Sequence, residues 1–173
     1  PTLSDLLGIK KYPSLDGTSY ADSLTNGADC GRKYLVVSQC AHICQRSVRF
    51  GKWIYMRTYH DGYRLFPDEM LFDLESDPHE QNDLSAKRPD ICGEGARYLA
   101  DWHKQMMLTM PPWSDADPMM TVLKEGGPLH TRGHLPKYCE RLEATGRGWA
   151  VPELKKRHPG EFAQCKTWEQ KVF

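Results

Sequence analysis

The spacing of apolar and polar positions changes character along this chain. Through residues 33–74 apolar side chains recur at every second position. Residues 33–39 are rich in Tyr and Val, and residues 45–50 alternate, with Arg46 and Val48 on one side, until Gly51 interrupts them. Residues 52–59 alternate again, with Trp53, Tyr55 and Arg57 on one face and Ile54, Met56 and Thr58 on the other, and residues 70–74 form a further short apolar run. A period of two is that of a β-strand, because successive side chains leave the backbone on opposite faces. The intervals are of hairpin length, too short for the crossover a parallel pair requires, so the pattern predicts an antiparallel sheet. Asp61-Gly62 and Asp77-Pro78 supply turns.

After Pro89 the period becomes helical. Ile91, Tyr98, Leu99, Trp102 and Met106 form a stripe at spacings close to three and four, although Gly93 and Gly95 weaken its first turns. Such a helix would cover one face of the sheet, giving an α+β layer. Beyond Pro111-Pro112 the helical candidates are shorter, at residues 118–124, 136–144 and 151–157, and read as an irregular tail wrapped on a larger body. Met106, Met107, Met110, Met119 and Met120 are expected as core filler. Ahead of the strands, Thr2 is placed to cap a short helix ending at Gly8, and Leu15-Asp16-Gly17 marks a turn. A second helix runs from about Ser19 to Gly27, with Leu24 as its core contact. The expected organisation is a sheet-plus-helix subdomain over residues 1–110 and an elaborated tail over 111–173.

Charge narrows the partners. Lys plus Arg and Asp plus Glu both total 23, so the net charge is zero with neutral histidines, and no basic excess suggests a nucleic-acid or anionic-membrane partner. No apolar run is long enough to span a bilayer. Six cysteines are scattered and fit either reduced thiols in a cytoplasmic protein or one or two bridges in a periplasmic one, so the compartment stays open. The chain opens without Met and inside a helical segment, which predicts that it is preceded by more protein.

Four motifs then occur in a set order. Pro1-Thr2-Leu3 leads to Gly8-Ile9; Asp16-Gly17-Thr18-Ser19 is followed by Leu24-Thr25-Asn26-Gly27; Arg46-Ser47-Val48-Arg49-Phe50-Gly51-Lys52 follows; and the run Leu71-Phe72-Asp73-Leu74-Glu75-Ser76-Asp77-Pro78-His79-Glu80-Gln81-Asn82-Asp83-Leu84 is the most specific. Each is weak alone. Together, from Pro1 to about Met107, they resemble the carboxy-terminal part of sulfatases of the alkaline-phosphatase superfamily, close to the sulfamidase and iduronate-sulfatase type. The carboxylates of the last run read as turn and cap residues rather than as acids or bases.

The resemblance implies a parent enzyme that hydrolyses a sulfate ester or sulfamate, with formylglycine and calcium held in an amino-terminal catalytic domain absent from this chain. In the family the formylglycine comes from a Cys or Ser followed by x-Pro/Ala-x-Arg, and neither Cys40-Ala41-His42-Ile43-Cys44 nor Cys92-Gly93-Glu94-Gly95-Ala96 has that context. The chain is therefore expected to be inactive alone, to contribute one wall of the substrate pocket and to have its own catalytic domain as partner. An exposed apolar surface should mark where that domain docks. A phosphonate or phosphate-ester hydrolase of the same superfamily and a non-catalytic binding or oligomerisation module are the rival readings, and a homo-oligomer is compatible with any of them.

Within the chain, residues 38–42 resemble the segment that approaches the pocket mouth in those sulfatases, so Gln39 and His42 are candidates to bond substrate hydroxyl or carboxylate groups. Arg46 and Arg49 suit a sulfate or sugar carboxylate, although ion pairs on a solvated strand face are the commoner use. Cys40, His42 and Cys44 would share one face of a continuous strand, a possible zinc trio, with ordinary packing the commoner outcome. Arg57, Tyr59, His60 and Tyr63 cluster at a hairpin tip as a possible sugar-stacking rim, and His130 and His134 lie in a Gly- and Pro-rich loop that no helix aligns.

Overall fold

The computed structural model describes residues 1–10, 15, 17–29, 31–111 and 117–161. These divide into two units, residues 1–33 and the residues from Tyr34 onward.

In the first unit, α1 (Thr2–Leu6) and α2 (Ala21–Asn26) are each little more than one turn, and neither contains a buried residue. Gly8 and Gly27 follow them at φ 62° and 67°, the left-handed conformation that only glycine adopts cheaply. Thr2 does not cap α1 as expected. Its Oγ1 accepts a hydrogen bond from the Tyr20 amide at 3.0 Å and so ties the two helices together. Nor is Leu24 a core contact: it is 69% exposed, and Leu3, Leu7 and Ile9 are also exposed. Helices this short bury apolar surface only against something larger.

The second unit is an antiparallel meander with a long helix on one face. Its strands β1 (Leu35–Gln39), β2 (Cys44–Phe50), β3 (Trp53–His60) and β4 (Glu69–Asp73) lie in chain order. The register explains why they stay together. Val36 faces Val48, Val48 faces Tyr55 and Tyr55 faces Leu71, so one row of apolar side chains crosses all four strands. Helix α3 (Pro89–Leu108) closes over that row with Cys92, Tyr98 and Leu99, while Tyr98 packs its ring 4.8 Å from Tyr34 and 5.2 Å from Phe50. Each fully buried side chain of this kind contributes roughly 2 kcal/mol. Gly95, expected to weaken the helix, is instead what lets it seat: a Cβ there would lie 2.6 Å from Tyr55 Cβ and Cγ. Gly93 meets nothing within 4 Å.

The Leu71-to-Leu84 run behaves as its composition suggests. Asp73 accepts from Lys52 Nζ at 2.7 Å and from the amides of Glu75 and Ser76; Asp77 accepts from the Asn82 amide at 2.7 Å; Asp83 accepts from the Leu71 amide at 3.0 Å. These bonds hold the Asp73 and Asp77 carboxyls below their usual range, first through Lys52 and first through the Asn82 amide respectively.

Beyond α3 come α4 (Pro118–Lys124), α5 (Leu135–Ala144) and α6 (Val151–Arg157), with a 3₁₀ turn at Gly148–Ala150. They build a second core from Leu135, Cys139, Leu142, Ala150, Val151 and Leu154, into which Tyr63 of the β3–β4 loop inserts. The methionines are divided: Met119 is buried, whereas Met107 and Met120 are exposed by 39% and 46% and fill nothing. Among the described residues no helix is long and apolar enough to cross a membrane, and Cys40, Cys44, Cys92 and Cys139 are free thiols.

Candidate functional site

The functional side chains gather where the sheet meets the second core. At Cys44/Gln45 the β2–β3 register slips, so that Cys44 faces His60 while Gln45 faces Thr58. The irregularity inserts one extra residue into β3 and re-aims His60, the usual consequence of a bulge. The loop that follows places three residues in the left-handed region, Gly62 at φ 60°, Tyr63 at 65° and Leu65 at 57°. For Tyr63 this is an unusual conformation that its partners must hold. The Asp61 carboxylate accepts its amide at 2.9 Å, and its hydroxyl reaches the Thr131 carbonyl oxygen at 2.5 Å and the Glu161 carboxylate. Gly62 is obligatory, since a Cβ would lie 2.1 Å from the His42 carbonyl oxygen. That contact joins the residue 40–43 bend to the loop.

Behind Tyr63 lies a polar cluster. His158 sits between two carboxylates, with Nε2 2.9 Å from Asp61 Oδ1 and Nδ1 3.0 Å from Glu161 Oε1. Both ring nitrogens donate, so the ring is an imidazolium. Burial opposes that charge, but the bonds to Asp61 and Glu161 outweigh burial and raise its pKa to about 9. The same bonds, with those from His60 and Tyr63, overcome burial at Glu161 and lower its carboxyl to about 2, and Asp61 is lowered likewise. Arg157 Nη1 adds a bond to the Phe66 carbonyl oxygen at 2.6 Å.

His60 Nε2, His158 Nδ1 and a Glu161 oxygen lie within 4.8 Å of one another, close enough to suggest a metal. The tautomer argues otherwise. The Gly62 amide donates to His60 Nδ1 at 3.1 Å, and an amide can only donate. The ring proton is therefore on Nε2, directed at Glu161 Oε1 3.3 Å away, and the lone pair a metal would need is not there. Protons bridge this cluster. With two imidazoles in three ligands it also does not fit calcium, which takes oxygen donors. Gly127 (φ 91°) lies against His60, where a Cβ would approach Nε2 to 2.4 Å.

In front of Tyr63 is an open cleft of about 330 Å³, lined by Gly62, Tyr63, Arg64, His130, His134, Lys137, Tyr138 and Arg141. Tyr63 and Tyr138 stack at 5.7 Å between ring centres and form its aromatic wall. The His42 and His130 rings, 5.8 Å apart, continue it toward the sheet.

The residues singled out from the sequence fall in different places. His42 is exposed at this end of the sheet, and Gln39, also exposed, donates to Gln45 Oε1 at 3.4 Å. Arg46 is not on a solvated face. It shares strand parity with Val48, so it lies beneath the helices, 8% exposed, with Nη2 2.6 Å from both oxygens of Asp117, Nε 3.2 Å from Ser38 Oγ and its guanidinium 4.9 Å from the Trp102 ring. Asp117 also accepts the Met119 amide at 3.0 Å and so caps α4. Arg49 is exposed on the opposite face. The Cys40–His42–Cys44 trio does not form, because residues 41–43 bend instead of continuing a strand; His42 turns outward and Cys44 is buried. The Cys44 thiol is pushed up to about 12 by burial and by Cys40, the opposite of what a thiolate ligand needs. The expected sugar-stacking rim is split: Tyr63 is buried and His60 is bonded to Glu161, whereas Tyr59 is 44% exposed and Arg57, also exposed, pairs with Glu69 at 2.6 Å. Sequence reading missed Asp61, His158 and Glu161. The spacing of His158 and Glu161 and the His60-Asp61 pair carried the signal, but nothing in either marks them as partners.

No family model matches the chain, and no curated protein matches it in sequence. Solved structures do. BT4656, determined in complex with its substrate D-glucosamine-2-N,6-O-disulfate, superimposes with TM-score 0.52 at 18% identity over 66% of this chain and 25% of its own. The putative sulfatase yidJ from Bacteroides fragilis gives TM-score 0.50 at 19% identity over 69% of this chain and 25% of its own. The chain thus spans about a quarter of the length of these two proteins. The α+β layer anticipated from the periodicity is therefore a fold that this chain shares with a segment of these two proteins.

Proposed function

We propose that this chain is the carboxy-terminal part of a sulfatase that hydrolyses a sulfate ester or sulfamate, and that it supplies one wall of the substrate pocket. The observation that carries this reading is the fold shared with a quarter-length segment of BT4656, a protein solved with a disulfated glucosamine as its substrate. Formylglycine and a calcium ion belong, in this reading, to residues outside the chain, since neither a suitable Cys context nor an oxygen-ligand cluster occurs among the described residues. The exposed Leu3, Leu7, Ile9 and Leu24 of the first unit support docking on such a catalytic domain. Gln39 and His42 contact the sulfated sugar. Arg46, whose guanidinium is fixed on Asp117, Ser38 and Trp102, positions the end of β1 that carries them.

The test compares the full reading frame containing this segment with the segment alone, in parallel aryl-sulfate and aryl-phosphate assays with and without calcium. Calcium-dependent sulfate release by the full protein and none by the 19.9 kDa chain is expected. Turnover by the chain alone, or release of phosphate but not sulfate by the full protein, would sink the proposal.

A further inference from the structure

We infer that the cleft in front of Tyr63 is a binding site for a carbohydrate carrying at least two anionic groups, held by Arg64, Lys137 and Arg141 against the Tyr63–Tyr138 wall. The assignment of a sugar as the ligand rests on the sulfatase reading; the assignment of a multiply charged anion does not.

The first argument is charge. In a chain with equal acidic and basic totals, the lining of this cleft holds three permanent cations and two imidazoles and no carboxylate. Several other cations of the second unit are matched: Arg46 with Asp117, Lys52 with Asp73, Arg57 with Glu69, Arg132 with Glu125 and Arg157 with Glu153; Arg49, Arg97 and Lys104 form no ion pair with a described residue, but they do not line this cleft. Arg64, Lys137 and Arg141 form no ion pair with any described residue. Three unmatched cations converging on one concavity focus a positive potential that an anion would neutralise.

The second argument is that two separate elements bring these cations to one concavity. Lys137 and Arg141 are four residues apart on α5 and so share one face of it. Arg64 is carried by the loop that holds Tyr63 at φ 65°.

Size and geometry set the ligand class. About 330 Å³ is at the small end of ligand clefts and suits one or two sugar rings rather than a helix or a folded partner. Lys137 and Arg141 are separated by about 6 Å along the helix axis, so two anionic substituents on one short oligosaccharide can be met at once. Exposed His130 and His134 offer further polar contacts. A duplex nucleic acid is the poorer fit, because the chain has no net positive charge to hold a phosphate backbone.

The experiment titrates the chain calorimetrically with a heparin-derived tetrasaccharide, with its fully desulfated form and with a 12-base-pair DNA duplex. The sulfated sugar is expected to bind, with affinity falling as salt is raised, and the desulfated sugar to bind at least about tenfold more weakly. Lys137→Glu with Arg141→Glu should weaken binding by about tenfold or more, while Arg97→Glu with Lys104→Glu on α3, the same charge change elsewhere, should alter it less than about threefold. Lys137→Gln with Arg141→Gln keeps the result interpretable if the reversal unfolds the chain: it removes two exposed charges without introducing any, so Tm should change little while binding weakens. The inference is overturned if the wild-type chain does not bind, if both charge reversals weaken binding equally, or if the desulfated sugar or the duplex binds as tightly. Aryl-sulfate turnover by the full protein separates the two readings: binding without turnover removes the sulfatase reading and leaves the anion site, and turnover without this binding pattern does the reverse.

Discussion

The two cores of the second unit are held in different ways. Beneath α3 the core is a row of apolar side chains set by strand register, Val36, Val48, Tyr55 and Leu71, closed by Tyr98 and Leu99. Non-directional burial does the work there, and the margin of that core carries a single buried ion pair, Arg46 with Asp117. The core of α5 and α6 is comparably dry at Leu135 and Leu154, but Tyr63 reaches it only because Asp61, His158, Glu161 and Thr131 hold a loop in a left-handed conformation. The first core should tolerate apolar exchange and suffer from volume. The second should tolerate pH poorly and suffer from the loss of one proton or one partner.

The largest effect is expected at Asp117→Ala, which strands Arg46 beneath the helices and uncaps α4. A buried pair broken on one side costs about 3–5 kcal/mol, and urea unfolding should show a loss in that range. His158→Gln should cost about 3 kcal/mol by the same reasoning, since it removes the imidazolium shared by buried Asp61 and Glu161 and leaves them only Arg157 at 3.4 Å and His60 at 3.3 Å. Its local signature is faster hydrogen exchange in α5 and α6 with α3 unchanged; equal acceleration in both would erase the contrast between the cores. Gly95→Ala should destabilise by about 2 kcal/mol, because the clash with the Tyr55 ring base exceeds the helix-propensity gain of about 1 kcal/mol. Gly93→Ala, two residues earlier in open space, should stabilise by about 0.5–1 kcal/mol. If the two glycine variants shift the urea midpoint in the same direction, the account of how α3 seats is wrong.

The pH dependence follows from the polar cluster. In the folded chain His158 holds its proton to about pH 9, whereas unfolded it would lose it near 6.5, so its contribution is complete below about 6.5 and gone above about 9. Glu161 is lowered to about 2 from 4.5, so its contribution is complete above about 4.5 and is lost as the pH falls toward 2. Protection of the α6 amides should therefore be greatest between about pH 4.5 and 6.5 and should decline steadily toward pH 9. A flat profile from 6.5 to 9 would mean that His158 is not the imidazolium described.

Much of the fold was legible because periodicity and register share one cause. The alternation that marked Trp53, Tyr55 and Arg57 as one face is the alternation that puts Tyr55 under α3, and the helical stripe found Tyr98 and Leu99 directly. What the pattern could not carry was the partner of each polar residue. Arg46 alternates correctly whether its face is wet or covered, and only α4, arriving 71 residues later with Asp117, decides the matter. His60 and Glu161 are 101 residues apart, and no local spacing links them. The trio at Cys40, His42 and Cys44 failed for a different reason: a single bend at residues 41–43 breaks the parity on which the expectation depended. The substrate contacts assigned to Gln39 and His42 rest on resemblance, and the cleft beside them became visible only when α5 was brought against the hairpin loop.

Two glycines already described have a consequence for the history of the sequence. Gly95 is shaped by Tyr55 and Gly127 by His60, each approached more closely than a methyl group allows. Neither position is free to drift alone. In related chains, a larger residue at 95 should be accompanied by a glycine at 55 or a helix set farther from β3, and a side chain at 127 by the disappearance of the imidazole at 60. Substitutions that reach one member of either pair without the other should be rare, whatever substrate the lineage has come to use.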